Sequence, residues 1–514
     1  MFQELIIHGY FYYLLGIFVF AVFLIILNLN DIRKLLSFRK KTIIILLLII
    51  LFSIFVRVYI TPHTFQIFDD EYIYVDIAEN FQESQNYCGS GVGMSECKRS
   101  PYPSGHPFML FLFTALFGFS TKVLLLYPVI IGVLSVPLIF ILSYCFSKNE
   151  KIALLSSFIL SILPIHIILS GSPNSDISSF FFSLIVLSLT LISLKIKTRI
   201  FFITLLLSLL FLIQIRVENI LFLFLIGFYF LLKRELQFLK NNFTVILLFF
   251  LLLMPLLANL STVNFVMEKQ PSDLMYPKVS LSLTDNMSYL QETIQANLLF
   301  WISNLLHPII ITLFVFVSIK YLFRKNKTHL YFLTSYFLLF LLSYSAYTEN
   351  LKFSIGVSFR HTLLLYIPIV LLASFGLYYF VANISNSSLK KIIFLFLFLY
   401  LLLIPFISYN SINKIHSPAR SEFEFLRYIN QDVFNCSFFT NRVPPIKYFF
   451  EDADYLRSLF QRSQFNNCSM LYLNYQILGA KENKAFIERS YDLKTLYKGN
   501  FSGQVYELSI INKE

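Results

Sequence analysis

The stretch Arg39–Phe81, RKKTIIILLLIILFSIFVRVYITPHTFQIFDDEYIYVDIAENF, decides the class of this chain. A basic cluster, Arg39, Lys40 and Lys41, is followed by an apolar run from about Thr42 to Ile60, long enough as a helix to cross the roughly 30 Å hydrocarbon of a bilayer. Cations resist translocation and pair with anionic lipid headgroups, so the basic end of such a span marks the cytoplasmic side. The chain therefore emerges outside at Thr61, and three consecutive acids, Asp69, Asp70 and Glu71, follow within about ten residues. After them Tyr74, Ile77, Ala78 and Phe81 recur at helical spacing, which predicts an amphipathic helix lying on the interface.

The rest of the chain repeats the first half of this pattern. Of its 514 residues 57% are hydrophobic and only 14% charged, whereas about a quarter are charged in water-soluble domains. Apolar runs near 10–28, 42–60, 121–147, 152–170, 177–194, 200–214, 219–232, 243–260, 297–319, 328–346, 361–382 and 391–409 predict about twelve spans. The net charge of +12 sits in short loops between them: 33–41, Lys148 and Lys151, Lys195–Arg199, Lys233–Lys240, Lys320–Lys327, and Lys390 with Lys391. That placement makes the basicity a topology signal, and no nucleic-acid partner is expected. The first apolar run lacks a small-residue cleavage site and ends in a basic stop, so it reads as a span rather than a leader.

With the basic loops inside, segments 61–107, 171–176, 261–296, 347–360 and 410–514 lie outside. Cys88 and Cys97 fall in the first of these and Cys436 and Cys468 in the last, which suits two disulfides in an oxidising compartment. Cys145 is alone in a span. After Asn410 the composition becomes mixed. Strand-like runs at 468–475 and 505–510 alternate with helix-like stretches at 420–431 and 451–463, as in a small soluble α/β domain. The chain thus divides into an N-terminal span with a basic loop (1–41), a membrane domain (42–410) whose first outer loop is 61–107, and an extracytoplasmic domain (411–514). The expected location is the plasma membrane.

A carboxylate cluster at a lipid–water boundary can take a proton from a water-soluble acceptor while a lipid-borne donor approaches from the side. The string Asp70-Glu71-x-x-Tyr74-x-x-Ile77-Ala78 resembles the DExxYxxIA motif in the first outer loop of GT-C glycosyltransferases. The nearest likeness is to the protein O-mannosyltransferases and the lipid A aminoarabinose transferases. Tyr102-Pro103-Ser104-Gly105-His106-Pro107-Phe108 resembles their YPPGYP segment, and Leu116-Phe117-Gly118 follows an apolar run as theirs does. Asp176 matches an acid of their second outer loop, and Phe359-Arg360-His361-Thr362 resembles the entry to a late span. The likeness extends over about 42–410. Three departures stand out: the extra span at 10–28, histidines at 106 and 361, and a C-terminal domain without trefoil repeats.

The resemblance implies inverting transfer of a sugar from a polyprenyl phosphate, undecaprenyl or dolichyl, to an extracytoplasmic protein, glycan or lipid. Asp70 is then the general base, with Asp69 its adjacent rival, Glu71 an orienting group and Asp176 a partner from the second loop. Arg360 is the first choice to hold the lipid phosphate, because a guanidinium binds phosphate in bidentate fashion; Arg216, Arg57 and Lys352 are alternatives. Tyr74, Tyr102, His106 and His361 complete the candidate donor and acceptor contacts. A lipid monophosphate has little need of a divalent ion, so no metal and no cofactor are expected. A polytopic transporter is the rival from another class, and an oligosaccharide transferase or polymer ligase with a diphosphate-linked donor is the rival enzyme.

Overall fold

A computed structural model describes residues 2–64, 70–87, 103–268, 306–347, 360, 362–430, 437–440, 469–474, 492–501 and 504–512, with a few short pieces between them. Asp69, Cys88, Cys97, Tyr102, Lys352, His361, Cys436 and Cys468 lie outside the described residues. The protein is a polytopic helical membrane protein. Its helices are α1 (Phe2–Leu27), α2 (Leu29–Leu35), α3 (Lys40–Tyr59), α4 (Asp70–Glu83), α5 (Gly105–Phe117) and α6 (Thr121–Ser147). They continue with α7 (Glu150–Ile162), α8 (Pro164–Leu169), α9 (Ser175–Ile196), α10 (Arg199–Ile215), α11 (Leu221–Leu232), α12 (Leu236–Asn241) and α13 (Phe243–Glu268). The last group is α14 (Ile309–Lys325), α15 (Lys327–Tyr347), α16 (Tyr366–Ala382), α17 (Ser387–Ile407) and α18 (Tyr409–Asn430).

Six stretches among the described residues are long and apolar enough to cross a membrane: His8–Leu27, Lys40–Tyr59, Thr121–Ser147, Ser175–Ile196, Leu363–Ala382 and Ser387–Ser417. Shorter apolar helices cover Gly105–Phe117, Arg199–Ile215, Val217–Leu232 and Phe243–Leu257. The run expected as one span over 152–170 is broken instead. Pro164 has no backbone N–H to continue the ladder of α7, so the helix ends at Ile162 and α8 restarts with Pro164 in its first turn. The span expected from 297 has its helix α14 beginning only at Ile309, after Pro308.

α1 is not an appendage. Tyr10, Phe11, Leu14 and Ile17 belong to the main buried core, and Tyr10 donates a 2.5 Å hydrogen bond to Gln214 at the end of α10. The packing therefore joins residues 1–41 to the membrane domain. At the other end α18 runs through the expected boundary at 410 and carries the chain to a five-stranded sheet ordered β2-β1-β3-β5-β4. Its strands are β1 (Ser437–Thr440), β2 (Asp454–Tyr455), β3 (Ser469–Asn474), β4 (Asp492–Phe501) and β5 (Gln504–Asn512). β1 lies parallel to β2 and β3, while β5 pairs antiparallel with both β3 and β4. α18 packs on the sheet through Phe425, whose ring meets Tyr472 at 5.9 Å and Tyr497 at 4.9 Å. Strands replace the expected helix at 454–455, while β3 and β5 fall where strand-like runs were expected.

Candidate active site

The amphipathic pattern after the acids forms a helix as expected. α4 opens at Asp70 and buries Tyr74, Ile77, Ala78 and Phe81 against α1 and α5, where the Phe81 ring meets Phe11 at 5.5 Å and Phe108 at 6.4 Å. The first turn of a helix favours carboxylates because its free N–H groups carry partial positive charge, and Asp70 and Glu71 occupy it. α9 begins in the same manner. The Asn174 side chain accepts from the backbone N–H of Asp176 and Ile177 at 3.1 and 3.2 Å, and donates to the carbonyls of Leu169 and Ser172. This cap fixes Asp176 in the first turn, facing α4.

Two arginines join these helix starts. Arg360 donates through both terminal nitrogens to Asp70, at 3.1 and 2.6 Å, and through Nε to Asp176 at 3.1 Å. Arg216, in an extended residue between α10 and a 3₁₀ turn (Val217–Ile220), pairs with the other oxygen of Asp176 and with Glu218. The result is an alternating chain, Glu218–Arg216–Asp176–Arg360–Asp70, drawn from segments that lie up to 290 residues apart. Exposure differs along it. The side chain of Asp70 is 20% exposed and that of Glu218 30%, against 9% for Arg360 and 2% for Asp176, so the two terminal carboxylates are the members a soluble molecule can reach.

Electrostatics follow from this pairing. Burial by itself drives the Asp70 pKa upward, but the Arg360 charge and its hydrogen bonds outweigh burial and hold it at about 2. Burial likewise disfavours the Arg360 cation, and Asp70 reverses this, raising its pKa above the ordinary guanidinium value. Glu71 is fully buried and adds to the field on Arg360. Tyr74 lies beside the cluster, where Ser175 donates to its hydroxyl at 3.3 Å. Burial and the Asp70 charge push its pKa well up, so the phenol stays neutral.

His106 is buried at the start of α5, and both ring nitrogens are engaged. The carbonyl of Pro173 can only accept, so Nε2, 2.9 Å away, carries the proton. Nδ1 therefore accepts from Ser178, also at 2.9 Å, and Ser178 in turn accepts from Tyr127 at 2.8 Å. Burial holds the His106 pKa down at about 4, so the ring is neutral at pH 7. This relay ties α5 and α6 to the start of α9, which carries Asp176. Gly105 permits the approach: a Cβ there would come within 2.7 Å of the Gln214 backbone.

The structure thus gathers Asp70, Glu71, Tyr74, Asp176, Arg216 and Arg360, with His106 as a brace behind them. Arg57 is elsewhere engaged, fully buried, with hydrogen bonds to Ser53 at 2.5 Å and His166 at 2.6 Å. Sequence reading missed the relay through Tyr127 and Ser178. It also missed Thr64, which is held by Gly171 and by His416 of α18.

Solved structures share this architecture. ArnT from Cupriavidus metallidurans, in the apo state, superposes with a TM-score of 0.59 at 11% identity, covering 91% of this chain and 97% of that one. The Archaeoglobus fulgidus oligosaccharyltransferase tethered to an acceptor peptide with an NVT sequon gives 0.57 at 12% identity, over 91% of this chain and 74% of that one. This is the GT-C fold. AglB of the same archaeon, in complex with an inhibitory peptide and a dolichol-phosphate, matches with a TM-score of 0.56 at 11% identity, over 91% of this chain and 74% of that one. No family model and no curated protein sequence matches the chain. At these identities the likeness speaks for architecture, and the chemistry of this chain rests on its own site.

Proposed function

We propose that this chain is an inverting glycosyltransferase that moves a sugar from a polyprenyl-phosphate donor to an extracytoplasmic acceptor. The observation that carries the reading is Arg360, whose bidentate face is on Asp70 while its Nε is on Asp176. A carboxylate held at about 2 is a poor base at neutral pH, because proton transfer favours a pKa near the working pH. A phosphate offers a guanidinium the same two-oxygen face as a carboxylate. The donor phosphate therefore competes with Asp70 for Arg360, and its arrival frees Asp70 from the charge that suppresses its basicity.

In the transfer step the acceptor hydroxyl attacks the anomeric carbon from the face opposite the phosphate, and its proton passes to Asp70. The new bond joins acceptor oxygen to carbon; the carbon–oxygen bond to phosphate breaks, and its electron pair leaves on the lipid phosphate. Arg360, backed by Arg216 through the shared Asp176, stabilises the charge that develops there. Glu71 and Tyr74 lie beside Asp70 on α4 and His106 braces the start of α9, and Asp69, Tyr102, Lys352 and His361 remain candidates for donor and acceptor contacts. The dolichol-phosphate in the AglB complex supports a lipid phosphate as donor, and the acceptor peptide tethered to the Archaeoglobus fulgidus oligosaccharyltransferase supports an outer acceptor. Cells with and without the chain are compared by mass spectrometry of envelope glycans and glycoproteins. A sugar missing from one class of molecule is the expected result; an unchanged set of glycans rejects the reading.

A further inference from the structure

Arg360 joins Asp70 to Asp176, and the segments preceding these two acids are themselves joined a few residues earlier. Thr64, past the end of α3, donates its backbone N–H to the Gly171 carbonyl at 3.1 Å. Its hydroxyl shares a 2.7 Å hydrogen bond with Nδ1 of His416, which comes from α18, 352 residues away. His416 is fully buried. Gly171 lets the three segments meet: a Cβ there would lie 2.5 Å from Thr61 Cγ2 and 3.1 Å from His416 Cε1. From this joint each acid is a short step along the chain. Asn174 donates to the carbonyls of Leu169 and Ser172, on either side of Gly171, and caps the turn that holds Asp176. Asp70 opens α4 six residues after Thr64.

α18 is anchored at both ends. Ile412, one turn before His416, belongs to the bundle core. Further on, Glu422 accepts from the Tyr472 hydroxyl of β3 at 3.1 Å, both side chains buried, and Phe425 packs on the sheet. One helix thus ties the C-terminal sheet to the joint between the two outer segments. Burying a polar ring costs free energy unless it is hydrogen-bonded, and an apolar side chain would fill the same place without that cost. Packing alone therefore does not call for an imidazole here; the bond to Thr64 is what it supplies. We propose that His416 is a positioning residue: through Thr64 and Gly171 it sets the spacing of the segments that carry Asp70 and Asp176, which makes α18 part of the frame of the Arg360 site. What the frame serves, retention of a donor phosphate by Arg360, rests on the function proposed above.

The test uses the full chain in neutral detergent with two readouts, hydrogen–deuterium exchange and titration with decaprenyl phosphate. His416→Ala and Thr64→Val are each expected to speed amide exchange in 61–64 and 171–176 about five- to tenfold, the worth of one buried hydrogen bond, with α14 unchanged. Each is expected to weaken decaprenyl phosphate binding by a similar factor, and the double variant by no more than either alone, because both changes break one contact. His416→Asn, whose side-chain amide meets Thr64 from the same δ position as Nδ1, is expected to restore exchange and affinity. A role in stability alone would lower the folded fraction and speed exchange everywhere, leaving the affinity of the folded chain unaltered. A uniform rise in exchange, unchanged exchange in the two segments, or unaltered affinity overturns the proposal. Should His416→Ala not fold, Thr64→Val carries the same expectations. Should the unaltered chain bind no decaprenyl phosphate, the function proposed above is what fails, and the exchange pattern alone decides whether His416 holds the two segments.

Discussion

In the proposed transfer the chemistry turns on which partner holds Arg360. Substituting Asp70→Asn keeps the shape but removes the proposed base, and general-base help contributes about 10²–10⁴-fold. Transfer is expected to fall by that order while donor binding persists or tightens, since Arg360 is released. Arg360→Lys is the complementary change. A single ammonium cannot span two carboxylates and a phosphate, so donor affinity is expected to fall about tenfold or more, read by titrating the lipid phosphate. The pairing also sets a pH dependence. Asp70 is held at about 2, below the unfolded value near ~4; its contribution to stability is thus complete above about pH 4 and lost as pH falls toward 2. A stability profile for Asp70→Asn is expected to lack that acid limb.

At the scale of elements, the starts of α4 and α9 must be held face to face. The Asn174 cap does this for α9, and Asn174→Ala is expected to cost about 1 kcal/mol of stability and to loosen Asp176, seen as a lowered melting temperature with weaker donor binding. Gly105 matters for a different reason. A Cβ 2.7 Å from the Gln214 backbone forces α5 away from α10, so Gly105→Ala is expected to destabilise by about 1–3 kcal/mol and to disturb the His106 relay. These elements differ in how visible they are before folding. Asp70, Glu71 and the stripe Tyr74–Phe81 stand close together in sequence, and their helix was legible from spacing. Asp176 and Arg360 were legible only through resemblance, because no local pattern tells that residues this far apart share an ion pair. The Tyr127–Ser178–His106 relay left no signal at all: serine and tyrosine in apolar runs look like ordinary span residues until the helices pack. The break at Pro164 was legible in principle, but the unbroken hydropathy of 152–170 hid it.

For the whole molecule, α9 separates an acidic and arginine-rich end from a lysine-rich one, and the separation gives the bundle a direction. Single cysteines placed within 61–107 or 410–514 are expected to react with an impermeant thiol reagent added outside, and those within 31–41 are not; the reverse pattern overturns the orientation. The alternating spans and basic loops made the class of the molecule plain from composition and charge placement alone. The packing of α1 into the core and the passage of α18 through residue 410 were not plain, since hydropathy marks spans but not which of them touch. The proposed function joins all three scales: Asp70, presented at the start of α4 and partly exposed, is proposed to act as the base of the transfer. The most direct test is mass spectrometry of envelope glycans from cells carrying Asp70→Asn in place of the original chain, with the amount of membrane-inserted protein measured in parallel. The expected result is the same missing sugar as in cells without the chain, at full protein level. An unchanged sugar at full protein level contradicts the account.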